Sequence, residues 1–80
     1  MPKLKVLSGQ EIISFLKQFS FVIDRQKGSH VNLSRNTISG KQNATIPNHK
    51  EISRGTLRTI YKQLSKYIPE DDLRKFFWTE

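Results

Sequence analysis

His30 and His49 are the two side chains of a type that ordinarily exchanges protons near neutral pH. The chain has no cysteine, which excludes a thiol nucleophile, a disulfide and a thiolate zinc site. Two histidines cannot hold zinc unaided, and Asp24 and Glu51 are too scattered to complete a set, so no metal and no cofactor are expected. No paired carboxylates, serine triad or phosphate-cradling glycine loop is legible. Arg25 and Lys27 stand just before His30, with Gly28-Ser29 between. A Gly-Ser turn lets a ligand come close. From the residues alone, His30 stays open between a proton acceptor and a bystander. His49, just past Pro47 in a loop, reads as a bystander.

The charge around His30 is lopsided. Residues 25–66 hold Arg25, Lys27, Arg35, Lys41, Lys50, Arg54, Arg58, Lys62 and Lys66 against Glu51 alone, within a chain of net charge +7. Neutralised phosphates release condensed counterions, so such a segment favours a polyanionic partner. Arg54, Arg58, Lys62 and Lys66 recur every four residues. Like charges at that spacing cost about 0.2–0.5 kcal/mol per pair on a helix, roughly 1 kcal/mol in all. A ridge that tracks phosphates would look like this.

Elements that could position these residues are readable. Ser8-Gly9-Gln10-Glu11 is a capping-box pattern, and Ile12, Ile13, Leu16 and Phe19 follow at helical spacing. A helix over residues 9–19 is predicted, with Phe15 at the margin of its stripe. Phe21 and Ile23 then alternate with Val22 and Asp24 as in a strand. Lys27-Gly28-Ser29 makes a tight turn, and a second strand runs from His30 to Arg35 with Val31 and Leu33 on one side. By parity His30 points to the other side. Residues 36–41 read as a loop, Gln42 to Ile46 as a third strand ended by Pro47. A second helix opens at Ser53, with Leu57, Ile60, Tyr61, Leu64 and Ile68 as its stripe. Pro69 breaks it and starts a short helix led by Glu70, Asp71 and Asp72. Leu73, Phe76 and Phe77 give that helix an apolar face.

The order is α-β-β-β-α plus a terminal helix, a two-layer α+β domain whose sheet keeps one face open. At 80 residues the chain is expected to form a single domain, with a core about 8–68 and a helical extension over 69–80. A domain this small removes only about 60–65% of its unfolded surface from water, so a deep cofactor pocket is not expected. No apolar run approaches the roughly 20 residues of a membrane span, and the start lacks a signal-peptide stretch. A cytoplasmic, membrane-free location is the expectation.

The run Arg25-Gln26-Lys27-Gly28-Ser29-His30 resembles the HicA family of mRNA interferase toxins. Ile46-Pro47-Asn48-His49, Glu51-Ile52 and Gly55-Thr56-Leu57-Arg58-Thr59-Ile60 continue the family pattern in the right order. The resemblance covers about residues 8–68. It departs at Ser20, where a glycine often precedes the aromatic residue, and in the tail from Pro69 to Glu80. It implies a fold similar to the double-stranded-RNA-binding domain and metal-independent cleavage of mRNA. It also implies a catalytic role for His30 and a cognate HicB-type antitoxin partner that covers the site. Arg25, Lys27 and the backbone amides of Gly28 and Ser29 would then stabilise charge on the phosphate, and Arg54, Arg58 and Lys62 would bind RNA. A non-catalytic RNA-binding module of the same fold is the alternative. DNA reading by the second helix is a weaker one, since Gln63 is the only base-reading amide on its exposed face.

Overall fold

Ser8 opens the first helix as its spacing to Glu11 predicts. In the computed structural model, which describes residues 3–79, the Ser8 hydroxyl accepts from the Glu11 amide at 3.1 Å. The Glu11 carboxylate in turn accepts from the Ser8 amide at 2.9 Å. A short strand β1 (Lys3–Leu4) precedes helix α1 (Gly9–Lys17), whose Ile12, Ile13, Phe15 and Leu16 are buried. Phe15 is no marginal residue, because the ring of Phe76 stacks on it with centroids 4.1 Å apart.

The helix stops short of residue 19. The Ser20 amide donates to the Lys17 carbonyl at 3.1 Å and the Phe21 amide to the Leu16 carbonyl at 3.2 Å, the two bonds of a Schellman cap. This cap holds Ser20 at φ 71°, in the left-handed region that glycine occupies without steric cost. Phe21 and Leu16 are both buried beneath it.

Three strands follow as an antiparallel meander, β2 (Val22–Lys27), β3 (His30–Thr37) and β4 (Gly40–Pro47), in the order β2-β3-β4. The loop expected over 36–41 is mostly strand. Asn36 pairs with Lys41 and Thr37 with Gly40, leaving Ile38 and Ser39 as the turn. Turn-forming composition loses here because the hairpin end is exposed: polar residues stay solvated while their backbones pair. Val31 opposes Ile46 and Leu33 opposes Ala44, and each of the four is at most 2% exposed. They form the sheet's contribution to the core.

Helix α2 (Arg54–Leu64) starts at Ser53, whose hydroxyl accepts from the Thr56 amide, and buries Leu57, Ile60 and Leu64 against that face. Ile68 is buried as its place in the stripe suggests, but it lies beyond the helix end. Helix α3 (Glu70–Phe77) carries its three acids in the first turn and buries Leu73 and Phe77. Tyr61 of α2 donates to the Glu70 carboxylate. Burial, then this bond and the charge of Glu70, push the Tyr61 phenol above its usual range.

The extension does not finish as a helix. Strand β5 (Trp78–Thr79) pairs antiparallel with β1, Leu4 opposite Trp78, so the two ends of the described chain close on each other. The whole is α+β, with the expected α-β-β-β-α order and an architecture compatible with the double-stranded-RNA-binding fold. Among the described residues, no helix is long and apolar enough to cross a membrane.

Candidate active site

The register of β2 against β3 decides which cations accompany His30. Lys27 pairs with His30 and Arg25 with Asn32, but Ile23 pairs with Leu33. Asp24 is the extra residue between these two registers, a β-bulge. Directly opposed residues in a ladder project to the same face. Arg25 and Lys27 therefore lie with His30 on the open face, while Ile23 lies on the helix side with Leu33. Unbroken alternation from Ile23 would have sent both cations toward the helices. Nothing in the sequence marks Asp24 as a bulge, so the reading of His30's surroundings rested there on proximity in the chain alone.

The turn that carries His30 is held by two hydrogen bonds. Gly28 has φ 61° and Ser29 does not share its positive φ, the pattern of a two-residue II′ hairpin. Space around Gly28 is open, so its backbone angle, not crowding, requires glycine. The Gln26 amide donates to the Gly28 carbonyl at 3.0 Å, and the Asn48 amide donates to the Ser29 carbonyl at 2.6 Å. Residues 47–49 are in turn fixed to the start of α1: the Gly9 amide donates to the His49 carbonyl at 2.9 Å. A Cβ at Gly9 would collide with the Pro47 carbonyl oxygen, so the approach needs glycine. Here His49 serves through its backbone, and its side chain is exposed.

Two rungs then cross the open face. One is Lys27–His30–Pro47 and the next is Arg25–Asn32–Thr45. Arg25, Lys27 and His30 are all exposed. Asp24, the acid of β2, is tied to Lys41 at 3.6 Å. The surface is shallow, and two hollows of the molecule lie elsewhere. One is lined by Gln10, Phe15 and Phe76 among others, the second by Val6, Ile52 and Arg54 among others. A flat polar face with one imidazole and two cations suits an extended polyanion better than an enclosed small molecule.

The residues expected to bind RNA separate into two groups. Arg25, Lys27, Gly28, Ser29 and His30 come together at one end of the β2–β3 hairpin. Arg54, Arg58 and Lys62 are exposed on α2, in the helix layer and not on the face of His30. At about 1.5 Å rise per residue, Arg58 and Lys62 lie roughly 6 and 12 Å along the axis from Arg54.

Arg35 leaves the basic surface altogether. Its guanidinium donates to Gln42 Oε1 at 2.7 Å, to the Phe19 carbonyl at 2.8 Å and to the Tyr67 carbonyl at 2.7 Å. It also lies over the Phe21 ring, 4.8 Å from the centroid. Arg35 ties the carboxyl ends of both long helices to the sheet, where helix carbonyls attract a cation. Its position on the Val31–Leu33 side was the available signal. Among the described residues, no group of three or more His, Asp or Glu gathers to hold a metal ion.

A family model whose description reads "HicA toxin of bacterial toxin-antitoxin" matches residues 9–65, from the start of α1 to the end of α2. No curated protein and no solved structure matches the chain.

Proposed function

The chain belongs to the HicA toxin family, and on that premise we propose that it is an endoribonuclease that cleaves mRNA without a metal ion, using His30 as its acid–base residue. The observation that carries this reading is the bulge at Asp24, which sets Arg25 and Lys27 on the face of His30. Neutral imidazole takes the proton of a ribose 2′-hydroxyl. The 2′-oxygen bonds to the adjacent phosphorus, the bond from phosphorus to the 5′-oxygen breaks, and that oxygen takes a proton from the imidazolium or water. A 2′,3′-cyclic phosphate and a 5′-hydroxyl result. Such a proton acceptor contributes about 10²–10⁴-fold.

Arg25 and Lys27 stabilise the charge that grows on the phosphate, with the Gly28 and Ser29 amides at the rim of the turn. Among the described residues no second general acid stands on this face, so turnover is slow, which suits a toxin that arrests growth. Arg54, Arg58 and Lys62 hold the RNA backbone away from the cleavage point and supply affinity that falls with salt. The extension packs on α1 and α2 through Phe76 and Glu70, on the helix side of the sheet, and leaves His30 open. A HicB-type antitoxin that is acidic or complementary in shape inhibits by covering the same face. The compartment in this reading is the cytoplasm, where the mRNA is.

The mechanism needs a 2′-hydroxyl. An RNA strand is therefore cut and an all-deoxy strand of the same sequence survives; a cut deoxy strand contradicts the mechanism. Salt-sensitive binding of RNA with no product instead favours a non-catalytic RNA-binding module.

A further inference from the structure

Asn32 stands two residues beyond His30 on the same strand and the same face, about 6.6 Å along it. It is half-buried between Arg25 on β2 and Thr45 on β4, each directly opposite it in the ladder. The Thr45 hydroxyl donates to the Asn32 carbonyl oxygen at 2.7 Å. That bond fixes the rotation of the amide. The Oδ1 takes this bond on the β4 side, and among the described residues the two N–H groups of Nδ2 donate to no protein acceptor. An amide held this way has two N–H donors to offer on that face, and Arg25 on the same rung adds a guanidinium. That combination receives an anionic oxygen.

We infer that Asn32, oriented by Thr45, donates a hydrogen bond to a non-bridging oxygen of the phosphate on which His30 acts. The inference rests on the nuclease reading above and adds a residue to it. A spacing near 6.6 Å lets one phosphate lie between an imidazole at the 2′-oxygen and an amide at a non-bridging oxygen, each at ordinary hydrogen-bond length. Arg25, on the same rung as Asn32, shares the charge. Asn32 is then a catalytic residue and Thr45 a positioning residue.

The test is cleavage of a short RNA whose scissile phosphate carries sulfur at one or the other non-bridging position, each diastereomer assayed separately. Wild type discriminates between the two. Asn32→Ala lowers kcat about 10²-fold on the all-oxygen RNA, with KM changed less than threefold, and loses the discrimination. Thr45→Val loses roughly tenfold and Thr45→Ser restores the rate, because only the hydroxyl is needed. Circular dichroism of each variant matches wild type. If Asn32→Ala keeps wild-type kcat, or loses kcat while keeping full discrimination, the assignment is overturned and the nuclease reading stands. If wild type leaves the RNA intact, the nuclease reading falls and this inference with it.

Discussion

One sheet presents two faces that share a backbone and almost nothing else. On the helix side Val31, Leu33, Ala44 and Ile46 are at most 2% exposed, and each touches a closed core. On the open side, one residue away along the same strands, stand His30, Asn32 and Thr45, with Arg25 and Lys27 opposite them. Alternation lets β3 line the core with one face and carry the proposed site on the other. Stability and the proposed chemistry thus fall on alternate residues of the same strands, so substitutions on the two faces should have separable effects. Asp24 is where that rule had to be broken. Its bulge shifts the register by one so that Ile23 pairs with Leu33 while the cations two and four residues later share the open face with His30.

The sharpest way to break the comparison is to exchange the expected losses. Leu33→Ala empties a fully buried site and should cost about 2–5 kcal/mol in urea unfolding. His30→Ala, three residues away on the same strand and exposed, should change stability by no more than about 0.5 kcal/mol. A large loss of stability in His30→Ala would mean that the open face is structural after all. A smaller effect concerns Arg35, the cation that lies on the helix side. Arg35→Met removes its bonds to the Phe19 and Tyr67 carbonyls and should cost roughly 1.5–3 kcal/mol. RNA affinity should be unchanged within error by filter binding, whereas a drop would return Arg35 to the basic surface. One substitution should bring a gain. Ser20→Gly relieves the left-handed strain of the Schellman cap and should raise stability by about 0.5–1 kcal/mol. Calorimetry checks it, and a loss would show that the serine side chain has a role of its own there.

Much of this is legible in the sequence. The capping box at Ser8, the Gly28 turn, the outward parity of His30 and the stripe of α2 all rest on local spacing, which sequence displays directly. What could not be read depended on partners far along the chain. The bulge at Asp24 follows from holding Ile23 on Leu33 and Lys27 on His30 at once, a demand that only the folded ladder makes. Arg35 looked like one more surface cation because the carbonyls it caps, Phe19 and Tyr67, are 16 and 32 residues away. The family pattern prefers glycine where Ser20 stands, and the cap gives the physical reason. Similarly, the pairing of β5 with β1 joins residues 74 or more positions apart, and two-residue strands carry no periodicity to detect. The Asn32–Thr45 bond was hidden for the same reason: strand parity placed both on the open side, but only register makes them neighbours.

The most direct test of the central claim, metal-independent RNA cleavage through His30, is to incubate the pure protein with an unstructured RNA in EDTA, wild type beside His30→Ala. The expected result is cleavage by wild type, no cleavage by the variant, and similar RNA affinity for both, because affinity rests on many cations. Normal cleavage by His30→Ala, or binding without cleavage by wild type, would contradict it.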